Sequence, residues 1–210
     1  MALSQQDLVC GMLLGRSGYY VDIGAGNGEG EPCASNTAWL EEIGWTGMLI
    51  EYMPNYCQEA CRFRPKSLVV QANAFTLDYK KIFEELKAPK VIDYLTIDID
   101  PTPQIQDPNT NVLSKFPFDE YDFKFLTIEH DLYNPHGSFQ KASLDNYMKD
   151  KPYKMIVENV ALAFAGKKYL EDWYINPKYY NDYLVKDVEN LYYKEINPND
   201  IVLDLAKRLK

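Results

Sequence analysis

Apolar runs of strand length alternate with amphipathic stretches along most of this chain. Residues 18–23, 47–51, 67–72, 91–98 and 123–129 are short, rich in Val, Ile, Leu and Tyr, and bounded by turn formers, so they predict five strands. Three stretches between them carry helix signals. Residues 35–44 open on Ser-Asn-Thr and close on glycine, residues 54–63 begin with proline, and residues 77–86 place apolar side chains at 79, 82, 83 and 86. A leading helix is expected over 3–14, with apolar positions at 8, 9, 12 and 13. A closing helix is expected over 197–209, with an apolar face at 201, 205 and 209. Residues 154–162 and 182–186 are strand candidates that would give an antiparallel edge. Strands alternating with helices in this way predict an α/β fold with a mostly parallel sheet. Neither a repeat nor a low-complexity linker divides the 210 residues, so one domain over 1–210 is expected.

Composition narrows the partners. With 46% hydrophobic residues the chain can bury a full core, yet it has no uncharged apolar run long enough to span a membrane. The first residues do not read as a secretory signal, and a cytoplasmic location is expected. The formal net charge of −9 repels phosphate backbones, and the basic stretches at 61–66 and 206–210 are too short to make a groove. A nucleic acid is therefore not expected as a partner. A chain of this size does not need its four cysteines as disulfides, and Cys57 and Cys61 lack a second pair for a zinc site.

The candidate chemistry begins where the first strand runs into a glycine cluster, Asp22-Ile-Gly-Ala-Gly-Asn-Gly-Glu-Gly. In open parallel sheets, ligands bind beyond the carboxyl ends of the strands. A dinucleotide site wants G-x-G-x-x-G, but Glu29 stands where the third glycine would be, and Asp22 would repel a diphosphate. A cationic nucleoside without phosphate fits better, and S-adenosylmethionine is one. Asp22 would face its ammonium, Glu51 at the end of the second strand would accept from its ribose hydroxyls, and residues 71–74, with Asn73 and Ala74, would border the adenine.

These residues resemble the FkbM-type S-adenosylmethionine-dependent methyltransferases. The resemblance runs through 4–7, 18–28, 35–51 and 93–100, with later echoes at 128–131 and 171–177, and its most specific piece is Ser35-Asn-Thr followed by Gly44-Trp-x-Gly-x-x-Ile-Glu51. It implies a Rossmann-like class I methyltransferase fold, with a mostly parallel seven-stranded sheet and an antiparallel C-terminal edge. It also implies O-methylation of sugars or similar hydroxylated molecules. By position it places cofactor contacts at Asp22, Gly24, Asn36, Glu51 and Asp98, and Ala25, Gly26, Thr37, Tyr52, Asn73 and Ala74 complete the expected set. Relatives usually carry glycine after the acidic pair of the fourth strand, whereas this chain has Asp100-Pro-Thr-Pro.

Methyl transfer to a hydroxyl needs alignment of the acceptor and a base to take its proton. Asp98 and Asp100 would share a face if the fourth strand extends that far, and Glu129, His130 and Asp131 end the neighbouring strand. His130 is the expected general base, with Glu129 and Asp98 beside it. Asp98, Asp100 and Glu129 would suit a divalent cation such as Mg²⁺, Mn²⁺ or Ca²⁺. Residues 171–174 could swing over the site, adding Asp172 as a ligand and Trp173 as a platform for a sugar, or could equally form an anchored loop. The expected partner is a small-molecule or glycan acceptor, and a homodimer is compatible with the chain. A methyltransferase acting on protein or RNA, and a non-catalytic module that binds the cofactor, stand as alternatives.

Overall fold

A computed structural model describes residues 2–29, 35–162, 168–180 and 188–209; the strand expected at 182–186, Gly30 and Cys33 lie outside them. The five expected strands form as β1 (Tyr19–Ile23), β2 (Thr46–Glu51), β3 (Ser67–Gln71), β4 (Val91–Ile97) and β5 (Asp122–Glu129). They pair in parallel, and β6 (Lys154–Ala161), β7 (Tyr169–Ile175) and the two-residue β8 (Tyr193–Lys194) complete one sheet in the order β3-β2-β1-β4-β5-β7-β6-β8. β7 runs antiparallel to both its neighbours, β5 and β6, while β6 and β8 pair in parallel. Among the described residues the sheet has eight strands, one more than the seven expected, and the expected antiparallel pairing forms in its C-terminal part, at β7. The order reverses at β1, between β2 and β4, which opens a crevice beyond the carboxyl ends of these strands.

Side chains alternate between the two faces of the sheet, and each face has its own core. On one side Tyr20, Leu49, Tyr94, Phe125 and Trp173 pack with α1 (Gln6–Leu14), α2 (Ala38–Ile43) and α7 (Pro198–Arg208). On the other, Val21, Ile50, Leu95, Phe123 and Ile128 meet Tyr79 and Phe83 of α4 (Tyr79–Glu85) and Leu144 of α6 (Gly137–Met148). Local signals hold where they were read: Gly44 ends α2 at φ 117°, Pro54 opens α3 (Pro54–Phe63), and the Asn197 side chain caps α7. The sequence reading did not include α6 or the short α5 (Pro108–Leu113).

Two expectations about where acidic side chains lie are overturned. β4 ends at Ile97, so Asp98 and Asp100 do not extend one strand face; the Asp98 N–H still reaches Ile23 O of β1 at 3.0 Å, and Asp100 lies in the loop beyond. Residues 171–174 are no lid. They are the middle of β7, where Trp173 is 0% exposed and meets the Phe125 ring edge-on at 6.0 Å. Glu171 and Asp172 made this stretch look like a surface loop, but both are buried. Among the described residues no helix is long and apolar enough to cross a membrane.

Candidate functional site

The crevice is shaped by a backbone that only glycine permits. At Gly24 φ is +81°, and a Cβ would lie 2.0 Å from Asp98 O, so β1 and β4 can close on each other only if residue 24 has no side chain. At Gly26 φ is +58° and nothing lies within 4 Å of where a Cβ would stand, so this backbone opens onto the cleft. Two cavities adjoin there and share Gly24, Gly26, Tyr56 and Asp98. One, of ≈ 250 Å³, is bounded by Asp22, Ala25, Ser35 and Asn36. The other, of ≈ 540 Å³, is bounded by Glu51, Tyr52, Asn73, Ala74, Ile99 and Asp100.

Each end carries a carboxylate, and the two are held differently. Asp22 is 1% exposed; Thr37 Oγ1 donates to its Oδ2 at 2.7 Å, while its Oδ1 meets no donor among the described residues. Burial pushes Asp22 up to about 6, against the pull of Thr37 and Arg64, with Asp98 and Glu51 adding to the rise. An ammonium group at Oδ1 would supply the missing partner. Glu51 accepts from Gly26 N at 3.0 Å through Oε2 and from Met53 N at 2.7 Å through Oε1. Those two amides fix its carboxylate, and each oxygen keeps a lone pair for a hydroxyl. Asn36 lies between the ends: it accepts from Gln6 Nε2 at 2.8 Å and donates to Asp98 Oδ2 at 2.9 Å. Thr37, part of the expected contact set, lies behind Asp22 and not on the cavity wall; the hydroxyl that read as a helix cap is turned to Asp22.

This cleft, at the switch in strand order, is the ligand position of doubly wound sheets, and solved structures share the frame. A TehB-like S-adenosylmethionine-dependent methyltransferase from Corynebacterium glutamicum is similar with a TM-score of 0.54 and 12% identity over 82% of this chain and 86% of that one. The Burkholderia thailandensis 1,6-didemethyltoxoflavin-N1-methyltransferase, solved with S-adenosylhomocysteine bound, gives 0.54 and 16% identity over 82% and 77%. An S-adenosylmethionine-dependent methyltransferase from Aquifex aeolicus gives 0.54 and 12% over 82% and 90%. The chain has the Rossmann-like methyltransferase fold. No family model matches the sequence, and no curated protein matches it.

Beside the cleft, the ends of β4, β5 and β7 bring three carboxyls into one row: Asp98 follows the Ile97–Ile128 pair, and Glu129 pairs with Glu171. Burial, then the Asp98 and Asp131 carboxylates in hydrogen-bond contact, push Glu129 well above the usual range. Its Oε2 and Asp131 Oδ1 meet no donor among the described residues. Burial also pushes Glu171 up to about 8, although Trp173 Nε1 donates to its Oε1 at 2.8 Å. A carboxyl raised in the fold binds its proton more tightly there than in the unfolded chain. Its contribution therefore turns unfavourable as pH rises from the unfolded value of 4.5 towards about 8. Glu171→Gln keeps the acceptor for Trp173 and is expected to raise stability by about 1–3 kcal/mol at pH 7. Urea unfolding at several pH values checks this: the gain should vanish near pH 4.5.

His130 does not join this row. It is 0% exposed; its Nδ1 accepts from Leu132 N at 3.2 Å, and its Nε2 faces Asp172 Oδ1 at 3.3 Å. With both ring nitrogens engaged, it cannot be the general base that its sequence position suggested. Asp172 is the hub of this buried cluster, also taking Asn159 N at 2.8 Å, Tyr174 OH at 3.3 Å and Lys141 Nζ at 3.3 Å. Burial alone would raise Asp172, but His130, Lys141 and the Asn159 amide hold it below its ordinary value. It lines neither cavity of the cleft and ties β6, β7 and α6 to the residue after β5. The proposed metal set fails too. Among the described residues no three His, Cys, Asp or Glu side chains are grouped to hold an ion, and Asp100 lies in the loop past the end of β4. The sequence reading missed Tyr56, which lines both cavities, although it lies four residues past Tyr52, where the chain turns into α3.

Proposed function

We propose that this chain is an S-adenosylmethionine-dependent methyltransferase that methylates a hydroxyl of a sugar, a glycan or a similar small molecule, as FkbM-type enzymes do. The observation that carries the cofactor reading is the buried Oδ1 of Asp22, which meets no donor among the described residues and belongs to a residue lining a cleft with the fixed Glu51 carboxylate at its far end. Asp22 would hold the ammonium, and Glu51 the ribose. Tyr52, Asn73, Ala74 and Ile99 would enclose the adenine, with Tyr56 and Asn36 along the way. S-adenosylmethionine supplies an electrophilic methyl group on a sulfonium. Asp98 lines both cavities and touches Glu129, so the acceptor hydroxyl belongs beside that pair. Burial and the neighbouring Asp98 and Asp131 carboxylates raise Glu129, and a raised carboxylate is a stronger base, so Glu129 takes the acceptor's proton as the methyl is transferred.

Glu129→Gln tests this assignment. It is expected to lower kcat about 100-fold while leaving the Kd for S-adenosylmethionine unchanged. Transfer of radiolabelled methyl to a panel of mono- and oligosaccharides, with calorimetry of cofactor binding, measures both; an unchanged kcat removes Glu129 from the reaction. The donor-poor carboxyls Glu129 and Asp131 favour a second reading, an amine acceptor such as a lysine side chain. Mass spectrometry of the methylated product separates an ether from a methylamine.

A further inference from the structure

Arg64, the residue that follows α3, is 2% exposed and spends its whole guanidinium on the residues that back the cleft at its Asp22 end. Its Nη2 donates to Thr37 O and to Thr37 Oγ1, both at 3.0 Å, and to Tyr20 OH at 2.5 Å. Its Nη1 donates to Ser35 Oγ at 3.1 Å and to Gly28 O at 3.4 Å, and its Nε meets Glu41 Oε2 at 3.1 Å. Thr37 Oγ1, receiving from Arg64, passes its own hydrogen to Asp22 Oδ2 at 2.7 Å. One planar cation therefore grips the glycine turn at Gly28, both residues flanking Asn36, and the hydroxyl that orients Asp22. A lysine offers a point charge and cannot make this fork.

We propose that Arg64 is the positioning residue of the cofactor pocket, acting through Thr37 to turn the open oxygen of Asp22 towards the ammonium of S-adenosylmethionine. The inference rests on the reading of the cleft given above. The groups that bear on Asp22 are Thr37 from the turn before α2, Arg64 after α3, Asp98 after β4 and Glu51 of β2. Only Arg64 among them is cationic, so its charge favours the ionised carboxylate while its geometry fixes the rotamer.

Charge and geometry separate in two variants. Arg64→Gln removes both, so the pH below which S-adenosylmethionine binding is lost should move up by about one unit, on top of an affinity loss of about 10- to 100-fold at high pH. Arg64→Lys retains the charge, so it should lose affinity with little movement of that midpoint. A loss that merely follows reduced stability would move no midpoint. Calorimetric titration of the whole chain with S-adenosylmethionine from pH 5 to 9, with urea unfolding of each variant, reads all three. If Arg64→Gln does not fold, Thr37→Val decides, because it breaks the relay with Arg64 in place and should raise the midpoint and weaken binding. The inference is overturned if Arg64→Gln or Thr37→Val keeps the wild-type affinity and midpoint or loses affinity equally at every pH, or if Arg64→Lys keeps the wild-type affinity. If the wild-type protein binds no S-adenosylmethionine, the reading of the cleft fails first and this inference falls with it.

Discussion

Asp22→Asn should weaken S-adenosylmethionine binding and, at the same time, make the free protein more stable. The affinity loss expected is about 2–4 kcal/mol, or about 30- to 1000-fold in Kd, because a buried carboxylate facing an ammonium is replaced by a neutral amide. The stability gain has a separate origin. Asp22 titrates near 6 in the fold and at 3.8 as an ordinary aspartate, so the folded chain holds a proton that the unfolded chain releases across that window. Stability is thus lost as pH rises through it, and at pH 7 the full penalty, on the order of 1–3 kcal/mol, is present. Asparagine removes that penalty. Binding runs the other way: ammonium recognition needs the ionised form, so wild-type affinity should fall about tenfold per pH unit below about 6, and Asp22→Asn should show no such slope. Calorimetry from pH 5 to 8 and urea unfolding at pH 7 check both halves. A variant with unchanged Kd refutes the assignment of Asp22.

Trp173→Ala is expected to cost about 3–5 kcal/mol of folding stability, a large share of what a domain of this size has. The indole is fully buried in β7, with Phe125 against its face edge-on and its N–H given to Glu171. Truncation leaves a cavity between sheet and helices and strands a buried carboxyl without its donor. Trp173→Phe keeps most of the volume and loses the N–H, so it should cost less. Denaturant midpoints measure both. Were residues 171–174 a mobile lid over the acceptor, Trp173→Ala would instead leave stability within about 0.5 kcal/mol of wild type and alter only turnover.

The contrast between Asp22 and Trp173 shows what the sequence could and could not tell. The first five strands were legible because each is an apolar run between turn formers, and the glycine turn was legible because Gly24 and Gly26 adopt conformations that other residues avoid. Asp22 and Glu51 could be placed because they stand at the ends of strands beside the glycine turn, whereas Asn36 and Asp98 were placed as cofactor contacts only by the resemblance to FkbM-type sequences. β7 was not legible: Tyr-Leu-Glu-Asp-Trp-Tyr-Ile breaks the apolar pattern with two acids, and their burial depends on His130, Lys141 and Trp173, partners reached only through the fold. His130 misled for the same reason, since a strand-end histidine looks alike whether its ring faces a cleft or a buried aspartate. Thr37 read as a helix cap, and only its 2.7 Å bond to Asp22 reveals another task.

The central claim is that the cleft beyond β1 and β2 receives a cationic nucleoside between Asp22 and Glu51. Crystals grown with S-adenosylhomocysteine test it most directly. The claim predicts density that spans the two cavities, with the amino group about 2.7–3.2 Å from Asp22 Oδ1 and the ribose hydroxyls on Glu51. Density for the nucleoside elsewhere, or a vacant cleft at saturating ligand, would contradict it.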